Sequence, residues 1–540
     1  MLINYFPVNK QERSIGTMAK EFNVTAVCRP EKHYMADISG RLKKIKTMID
    51  NGNYFTINKA RQYGKTTTLI ALEKYLQKDY YVVLIDFQTF GYAEFKNENI
   101  FAVSFAKSFL RFLKTNNLTL TDGFKEAITI LKKETENKNR TFTLKTLFEE
   151  LSDICGEADK PIVLMIDETD SASNNQVFLD FLSQTRAYYI RRETQPAFQS
   201  VILASVYDIK NLKRKLRPDS AHKYNSPWNI ATDFNIEMDL PEDSIAGMLK
   251  DYENDHHTGM DINETARLLY EYTSGYPFLV SRLCKIMDDE TAFNKSGFYK
   301  AVNILLTEKN TLFESLYNKL EDYEELDLML YELLFTGKTV PYNPDKLSIN
   351  IATMFGFIKN QNGTATISNR IFETRLYNMY LSTPEMQENN IYKASLQDKN
   401  QFITNGYLDM RLVLEKFVLH FNDLYGNSSK TFIEEEGRKY FLLYLRPIIN
   451  GTGNYYIEAR TRSLGRTDVI IDYNGRQYIV EMKIWHGKEY NNSGEKQLAA
   501  YLADYHQDTG YIISFNFNKK KQSGVYEINI GGKTIIEAIV

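Results

Sequence analysis

The run Gly64-Lys65-Thr66 holds the first side chains whose types and order could carry out chemistry. An apolar, strand-like run at residues 54–57 precedes it, and helical apolar spacing follows over residues 69–76. A strand, a loop, Gly-Lys-Thr and a helix form the context in which a loop binds nucleotide phosphates. Backbone N–H groups and the helix dipole favour phosphate there, Lys65 would neutralise the β- and γ-phosphates, and the Thr66 hydroxyl would bind Mg²⁺.

The loop before Lys65 departs from the common phosphate-loop pattern at one position. Lys59 stands where the first glycine of G-x-x-x-x-G-K-[ST] is expected. We expect this difference to affect the rate of nucleotide hydrolysis rather than nucleotide binding. The residues predicted to contact the nucleotide or its Mg²⁺ are Arg61, Gln62, Tyr63, Gly64, Lys65, Thr66, Thr67 and Asp167.

An apolar run at residues 161–166 ends in two carboxylates, Asp167 and Glu168. Asp167 stands where an acidic residue holds Mg²⁺, and Glu168 stands where a base activates water. The alternative is a buried strand that ends at a solvated acidic turn. Because the pair follows Gly-Lys-Thr on a later strand of the same predicted sheet, we predict nucleotide binding, with Glu168 as the catalytic base of hydrolysis.

Hydrolysis would also need an arginine, and the sequence leaves its identity open. The basic residues 213–217 follow a strand-like run that ends at Ser205, where a polar sensor residue would be expected. The basic residues could reach a γ-phosphate or a nucleic-acid backbone, or they could form a solvated face of a helix.

A second set of polar side chains lies on two predicted strands joined by Asn474-Gly475. Asn-Gly between two β-rich runs predicts a hairpin with a two-residue type I′ turn. Opposed residues of a hairpin share a face, and Lys483, two residues after Glu481, faces the same side. The resulting register pairs Tyr473 with Arg476, Asp472 with Gln477, Ile470 with Ile479, and Asp468 with Glu481.

Asp468 and Glu481 would repel each other in this register unless a positive group lay between them. A divalent metal and the Lys483 ammonium could supply that charge, and oxygen ligands open to substrate suit Mg²⁺ or Mn²⁺. The metal would lower the pKa of a bound water, and Lys483 would orient it or stabilise charge that develops on a phosphate. The alternative is a salt-bridge cluster on a solvated face, against which the apolar pair Ile470 and Ile479 argues.

Two predicted helices could complete this second site. Gln497 and Tyr501 are spaced i, i+4 and therefore share one face of a helix. An upstream helix over residues 432–445 carries three glutamates near its start, among them Glu436. Glu436 could supply a further metal ligand, or the three acids could simply favour the helix dipole.

The acidic residue, the Glu-x-Lys run and the Gln-x-x-x-Tyr helix together resemble the PD-(D/E)XK nuclease superfamily. The resemblance implies a restriction-endonuclease-like α+β domain that cuts phosphodiester bonds with a divalent metal. One position departs from the pattern, because Thr467 stands where proline is usual. The resemblance implies Asp468, Glu481 and Glu436 as metal ligands, Lys483 as the catalytic lysine, and Gln497 and Tyr501 as residues of the same active site.

Three runs in the N-terminal half resemble predicted AAA-ATPase-like proteins that are often fused to such a nuclease domain in bacteria. The runs are residues 60–67, 163–168 and 272–279, and the similarity extends over residues 22–284. The resemblance implies a P-loop ATPase core followed by a helical lid. It also implies a role in defence against foreign nucleic acid or in mobile-element biology.

A chain of 540 residues is too long to form one hydrophobic core, so we expect several domains to position these side chains. Strand-like runs alternate with helical ones in the N-terminal part, which predicts a parallel sheet covered on both faces. The predicted strands are residues 54–57, 80–86, 162–167 and 201–205, and the predicted helices include residues 65–76, 100–113 and 262–273.

We predict an α/β multidomain chain. Short helices before a hairpin at Asn362-Gly363 favour a winged helix, and a polar stretch after it favours a linker. The predicted domains are a P-loop AAA-like ATPase core at residues 1–240, a helical lid at 241–300, a winged-helix domain at 301–382, a linker at 383–400 and a PD-(D/E)XK nuclease-like domain at 401–540.

The composition is that of an ordinary globular protein. Hydrophobic residues make up 43% and charged residues 25%, and the net charge of −3 excludes a histone-like protein. The three cysteines are far apart, and no apolar run is long enough for a membrane span or a signal peptide. We therefore expect a cytoplasmic protein that does not contact membranes.

The two predicted sites lead to one functional hypothesis. A nucleotide-binding ATPase, with ATP and Mg²⁺ or Mn²⁺ as cofactors, would control a C-terminal nuclease whose partner is nucleic acid, either as a single chain or as a homo-oligomer. One alternative is a regulatory or scaffold ATPase whose nuclease-like domain binds nucleic acid without cutting it. Another is a nuclease that binds nucleotide without turnover, which Lys59 would explain.

Overall fold

The computed structural model contains a four-stranded sheet, a largely helical middle part with a short hairpin, and a six-stranded C-terminal sheet. None of the described helices is both long and apolar enough to cross a membrane. The residues that the structure describes are 20–115, 121–137, 141–206, 227–335, 339–398, 401–425, 434–449, 453–461, 465–485, 495–496, 498–499, 502–503, 507–518 and 521–540.

Four parallel strands form the N-terminal sheet: Phe55–Asn58 (β1), Tyr81–Asp86 (β2), Ile162–Asp167 (β3) and Ser200–Ser205 (β4). Their spatial order is β1-β4-β3-β2. Alternate residues of β3 enter two apolar clusters, with Val163 and Met165 on one face and Leu164 and Ile166 on the other. Burial on both faces explains why the strands are continuous apolar runs, and it confirms the predicted parallel sheet.

The loops that follow β1, β3 and β4 leave this sheet at the same edge, because parallel strands end together. The phosphate loop, the Asp167–Glu168 pair and Ser205 all lie at this edge. The helices of this part are Ser39–Asp50 (α1), Lys65–Leu76 (α2), Tyr92–Lys96 (α3), Glu98–Thr115 (α4), Asp122–Glu136 (α5), Leu144–Glu157 (α6) and Gln176–Ile190 (α7).

A tight glycine turn connects two helices of the middle part. Gly275 has φ +76°, and its carbonyl oxygen accepts a hydrogen bond of 2.8 Å from Leu240 N. A Cβ at Gly275 would lie 2.3 Å from the Leu240 carbonyl oxygen, so a larger residue would collide with that backbone. The turn lies between α9 and α10, and the helices of this stretch are Glu242–His256 (α8), Ile262–Thr273 (α9), Pro277–Asp289 (α10) and Lys295–Thr307 (α11).

A hairpin follows three further helices. Asn362 and Gly363 in its turn have φ +53° and +82°, the left-handed backbone that a type I′ turn requires. The helices and the hairpin expected here are present, and the winged-helix assignment itself stays a prediction. The elements are Thr311–Asp322 (α12), Glu324–Phe335 (α13), Leu347–Met354 (α14), Ile358–Gln361 (β5), Thr364–Ile367 (β6) and Arg370–Tyr380 (α15).

Residues 383–400, for which we predicted a linker, contain two helices instead. These are Pro384–Gln387 (α16) and Asn390–Asp398 (α17). Ile391 and Ser395, one helical turn apart, are fully buried. The other described side chains of α17 are exposed or half-buried. Because only this narrow side of the helix is buried, the composition of the stretch is polar and does not indicate a packed helix.

In its described residues, the C-terminal part combines helices with a mixed sheet whose strand order is β13-β14-β12-β11-β10-β9. The pairs β11–β12 and β12–β14 are parallel and the others are antiparallel. The elements are Ile403–Thr404 (β7), Tyr407–Leu408 (β8), Met410–Tyr425 (α18), Glu434–Ile449 (α19), Gly453–Thr461 (β9), Gly465–Tyr473 (β10), Arg476–Ile484 (β11), Thr509–Phe515 (β12), Gly524–Ile530 (β13) and Lys533–Ile539 (β14).

The hairpin β10–β11 has the predicted turn. Asn474 and Gly475 have φ +48° and +81°, as a type I′ turn requires. The predicted pair of Asp468 with Glu481 involves a side chain that lies outside those described, so it stays a prediction. The pairs Tyr473–Arg476, Asp472–Gln477 and Ile470–Ile479 are those that the sequence predicted.

Candidate functional site

The phosphate loop turns from β1 into α2 through two residues with left-handed backbone. Gln62 has φ +61°, and Gly64, which caps the start of α2, has φ +74°. No neighbouring atom lies within 4 Å of the Cβ position at Gly64, so glycine is required there for its φ rather than for space. The first N–H groups of α2 have no partners within the helix, which favours an anion at this point.

Lys65 is buried and folds back across its own loop. Its Nζ donates hydrogen bonds to the carbonyl oxygens of Lys59, at 2.8 Å, and Ala60, at 3.0 Å. Burial lowers the pKa of Lys65, and the carboxylate of Glu168 has the largest opposing effect. The ammonium group therefore lies at the centre of the loop, facing the acids that end β3.

Thr66 and Asp167 are in direct contact. Thr66 Oγ1 donates a hydrogen bond of 2.6 Å to Asp167 Oδ2, and Asp167 Oδ1 accepts one of 2.9 Å from Glu168 N. Asp167 is 3% exposed, and burial raises the pKa of its carboxyl. A hydroxyl and a carboxylate held together beside a phosphate loop fit Mg²⁺, which takes few protein ligands and completes its coordination with phosphates and water.

Glu168 directly follows the end of β3 and has φ +51°. Its side chain is half-buried, and burial, followed by the charge of Asp167, raises the pKa of its carboxyl. A carboxyl with a raised pKa accepts a proton from water more readily than an ordinary one. The environment of Glu168 is therefore suited to the predicted role of base.

Short hydrogen bonds hold the end of β4 beside Asp167 and Glu168. Ser205 Oγ donates a bond of 2.6 Å to Asn58 Oδ1, which joins the ends of β4 and β1. Asp170 Oδ2 accepts a bond of 2.6 Å from Val206 N, which joins the turn after β3 to β4. Ser205 is 1% exposed. These contacts hold the three strand ends in one arrangement around Lys65.

Tyr63 connects the phosphate loop to the helical middle part. Its hydroxyl donates a hydrogen bond of 2.8 Å to Asp239 Oδ1, and its ring lies 4.3 Å from that of Tyr276. The Tyr276 hydroxyl in turn donates to the carbonyl oxygen of Arg61 at 2.9 Å. Burial raises the pKa of Asp239. A change in the loop on nucleotide binding would therefore reach the start of α8 and the start of α10 directly.

A cleft lies between the phosphate loop, the start of α12 and the connection from α14 to β5. Its volume is about 180 Å³, and its walls include Arg61, Gln62, Ser315 and Phe357. Gln62 Nε2 donates a hydrogen bond of 2.9 Å to Thr311 Oγ1 across the cleft. The loop thus faces an opening that is polar on one side and aromatic on the other.

Lys483 lies in a buried cluster of charged side chains on one face of the C-terminal sheet. It is 4% exposed and is in register with Ser514 of β12. Ser514 Oγ donates a hydrogen bond of 2.6 Å to Glu537 Oε1, which places that carboxylate beside the same face. Burial lowers the pKa of Lys483, while Glu537, Glu495 and Glu481, in that order, raise it.

The predicted metal ligands of this sheet are only partly described. Glu481 shares the face of Lys483, because they are two positions apart on β11. Glu436 lies at the start of α19, which packs on the opposite face: a Cβ on the adjacent Gly437 would lie 2.3 Å from the ring of Phe515. Among the described residues, no group of three or more His, Cys, Asp or Glu side chains could hold a metal ion. The side chains of Asp468, Gln497 and Tyr501 lie outside those described, and their roles stay predictions.

The comparison with known families decides the nature of the N-terminal part. The AAA-like domain family matches residues 27–383. The chain belongs to this family. The AAA-like domain therefore includes the phosphate loop, the Asp167–Glu168 pair, the helical middle part and the hairpin β5–β6. No curated protein matches the sequence significantly.

Several solved structures resemble the AAA-like domain. A Walker-type ATPase of Pyrococcus abyssi is 14% identical, with a TM-score of 0.46 over 66% of this chain and 99% of that chain. The ORC2 protein of Aeropyrum pernix, solved as ADPNP and ADP complexes, is 10% identical, with a TM-score of 0.35 over 67% of this chain and 98% of that chain. The ORC1 protein of the same organism, solved in complex with DNA, is 10% identical, with a TM-score of 0.29 over 64% of this chain and 93% of that chain.

The structure brings four predicted residues of the AAA-like domain into one site, namely Lys65, Thr66, Asp167 and Glu168. Thr67 lies apart from them, and its Oγ1 accepts a hydrogen bond of 3.2 Å from Cys28 N. The basic residues 213–217 lie outside the described part of the chain. Sequence reasoning missed Asp239, Glu495 and Glu537 altogether, and the only signal for Tyr276 was its place in the run at residues 272–279.

Proposed function

We propose that the AAA-like domain binds and hydrolyses ATP. The observation that supports this most directly is the 2.6 Å hydrogen bond between Thr66 and Asp167, beside the buried Lys65. Thr66 and Asp167 would hold Mg²⁺, which when bound supplies positive charge at the β- and γ-phosphates. Lys65 would exchange the carbonyl oxygens of its own loop for phosphate oxygens, and the N–H groups at the start of α2 would donate to the phosphates.

Glu168 would act as the general base of hydrolysis. Its carboxyl lies next to Asp167 and faces Lys65, and its raised pKa favours proton transfer from the attacking water. We expect Glu168→Gln to reduce phosphate release by at least about 100-fold, the lower end of general-base contributions. ATP binding should stay close to that of the wild type, because the amide keeps the shape of the side chain.

Phosphate release from the full-length protein tests this assignment. Glu126→Gln serves as the matched control, because Glu126 is exposed on α5. Equal loss in both variants would contradict the assignment of Glu168. ATP binding without phosphate release in the wild type would favour the alternative of a nucleotide-binding protein without turnover, which Lys59 suggested.

We further propose that the C-terminal domain is a nuclease that cuts nucleic acid with Mg²⁺ or Mn²⁺ under control of the AAA-like domain. The supporting observation is the buried Lys483 beside the carboxylates of Glu481, Glu495 and Glu537. Burial of an ammonium costs desolvation free energy, and ionisable groups with strongly perturbed pKa values are concentrated at functional sites. In this proposal Lys483 orients water or stabilises charge on the scissile phosphate, Asp468 and Glu481 bind the metal, and Gln497 and Tyr501 complete the site. Glu436, at the start of the helix that packs on the opposite face, takes no part in it.

A cleavage assay tests the nuclease proposal. Circular DNA, linear DNA and RNA are incubated with Mg²⁺ or Mn²⁺, with and without ATP. We expect Lys483→Ala and Asp468→Ala to lose cleavage and to retain ATP binding, while Lys496→Ala, at an exposed position nearby, behaves as the wild type. Absence of cleavage under every condition, with ATP binding intact, would favour a regulatory or scaffold ATPase whose C-terminal domain only binds.

Partners and setting follow from the same proposal. Residues 301–382 would act as a winged helix that contacts the phosphate backbone of nucleic acid. ATP and nucleic acid are the proposed ligands, a cytoplasmic location is proposed, and a homo-oligomer is compatible with this function.

A further inference from the structure

The position of Lys65 indicates which end of the phosphate loop would face the γ-phosphate. Its Nζ crosses the loop to the carbonyl oxygens of Lys59 and Ala60. In a phosphate loop this ammonium reaches the β- and γ-phosphates. Residues 59–61 therefore flank the end of the site at which the terminal phosphate would lie.

Arg61 combines a fixed backbone with an exposed side chain at this end. Its carbonyl oxygen accepts the hydrogen bond of 2.9 Å from Tyr276, a residue that is only 1% exposed. Its side chain is exposed and lines the cleft beside Ala60 and Gln62. The backbone contact fixes the point from which the side chain starts, and the exposure of the side chain leaves the guanidinium accessible to a ligand at the loop.

The charge of Arg61 acts on two groups of the proposed reaction. Burial lowers the pKa of Lys65, and the Arg61 guanidinium lowers it further. Burial raises the pKa of Glu168, and the same guanidinium opposes that rise. These effects are the smallest among the charged neighbours of each group, and they place the guanidinium within electrostatic range of the ammonium that would bind phosphate and of the carboxylate that would activate water.

We propose that Arg61 contacts the γ-phosphate of ATP, so that the phosphate loop itself supplies the arginine that hydrolysis needs. This inference rests on the proposed ATPase function. The planar guanidinium donates two parallel hydrogen bonds to phosphate oxygens, which a lysine cannot do. It would stabilise the charge on the γ-phosphoryl group as that group is transferred.

The reaction that Arg61 would assist is hydrolysis of the terminal anhydride. The oxygen of water bonds to the γ-phosphorus, and the bond from that phosphorus to the β,γ-bridging oxygen breaks. ADP leaves with the bonding electron pair, and Glu168 takes the proton of the water and passes it to the product phosphate. Arg61 donates hydrogen bonds throughout and transfers no proton.

A contact with the γ-phosphate predicts a difference between ATP and ADP, because ADP lacks that group. If Arg61 served only to pair with Glu168, or only to shape the loop, its loss would affect both nucleotides alike. The ratio of the two affinities therefore separates a γ-phosphate contact from a structural role.

Calorimetric titration with ADP and with a non-hydrolysable ATP analogue, in Mg²⁺, measures this ratio. The variants are Arg61→Ala, Arg61→Lys and the control Arg191→Ala, whose residue is exposed at the far end of α7. We expect Arg61→Ala to weaken binding of the ATP analogue by about 10-fold or more and to change the affinity for ADP by less than about twofold. Phosphate release should fall on the order of 1,000-fold. Arg61→Lys should recover part of the affinity ratio, because it keeps the charge.

Two results would overturn the inference. One leaves the proposed ATPase function standing, and the other refutes it as well. An unchanged affinity ratio in Arg61→Ala, with the wild type still releasing phosphate, would refute the role of Arg61 and leave the proposed ATPase intact. A wild type that binds neither nucleotide would refute the proposed function, and this inference with it.

Discussion

Single residues of the nucleotide site are held in charged forms that burial disfavours. Asp167 is 3% exposed and Lys65 is 7% exposed. Burial raises the pKa of Asp167 and lowers that of Lys65, so each side chain is less stable as an ion here than in water. Mg²⁺ at Asp167 and a phosphate at Lys65 would offset both penalties. Such strain before binding is characteristic of functional sites rather than of structural cores.

This balance leads us to expect that Asp167→Asn stabilises the nucleotide-free protein. Asparagine keeps the shape of the side chain and removes the buried charge, which should raise the free energy of unfolding by roughly 0.5–2 kcal/mol. Thermal unfolding at neutral pH, compared with Asp153→Asn at an exposed position of α6, measures the effect. A lower midpoint for Asp167→Asn than for the wild type would contradict this expectation. Mg²⁺-dependent nucleotide binding should be lost in the same variant.

The stabilising effect of Asp167→Asn should depend on pH in a defined direction. The ordinary pKa of an aspartate is 3.8, and the folded protein raises that of Asp167. As pH rises above 3.8, the unfolded chain ionises at this position before the folded one does, so the wild type loses stability relative to the variant. The difference between the two thermal midpoints should therefore be small near pH 3.8 and should grow towards neutral pH. A difference that shrinks as pH rises would show that burial does not raise this pKa.

The local sequence pattern was enough to predict the chemical groups of the nucleotide site, but not the residues from distant parts of the chain that contact them. Gly64, Lys65 and Thr66 were predicted because their order and the flanking periodicity are local features. Nothing local relates Tyr63 to Asp239, which lies 176 positions later. Partners of this kind are set by how helices stack on the sheet, which periodicity does not determine.

Apolar periodicity predicted several elements to the residue. Lys65–Leu76, Ile162–Asp167 and Ile262–Thr273 have the bounds that the sequence predicted. Each has a strong pattern, either a continuous apolar run or a helical face between clear end signals. The helix Asn390–Asp398 was missed, because only one narrow side of it is buried.

The turn between α9 and α10 offers a test at the scale of elements. Gly275→Ala should destabilise the protein by at least about 2 kcal/mol, because the backbone has φ +76° and a Cβ would meet the Leu240 carbonyl at 2.3 Å. Gly247→Ala is a matched control, since Gly247 lies inside α8 with nothing within 4 Å of its Cβ position. Alanine at position 247 should raise the free energy of unfolding by about 0.5–1 kcal/mol. Urea unfolding of both variants checks the pair, and equal effects would contradict the structure of this turn.

At the scale of the whole molecule, the residues around the turn between α9 and α10 contact both the phosphate loop and the strand β10. Tyr276 donates a hydrogen bond to the carbonyl oxygen of Arg61 in the phosphate loop. Tyr272, four residues earlier and on α9, donates to Asp472 Oδ2 of β10 at 3.1 Å, and Asp472 is 3% exposed. The turn at Gly275 thus links the loop that would bind ATP to the strand that carries Asp468. This is a physical route by which the two halves could influence each other.

The hydrogen bond between Tyr272 of α9 and Asp472 of β10 should contribute measurably to the free energy of unfolding. We expect Tyr272→Phe to lower the free energy of unfolding by about 1–3 kcal/mol, because it removes a donor from a buried carboxylate. Tyr92→Phe is the control, because Tyr92 is 77% exposed. Chemical denaturation of the full-length protein measures both. A Tyr272→Phe variant as stable as the control would show that this hydrogen bond does not hold the two parts together.

Binding of ATP at the phosphate loop is the central claim, and calorimetric titration of ATP in Mg²⁺ tests it most directly. We predict that the wild type binds ATP, that Lys65→Ala binds at least about 10-fold more weakly, and that Lys44→Ala, at an exposed position of α1, binds as the wild type does. Failure of the wild type to bind ATP, or binding by Lys65→Ala with unchanged affinity, would contradict this account.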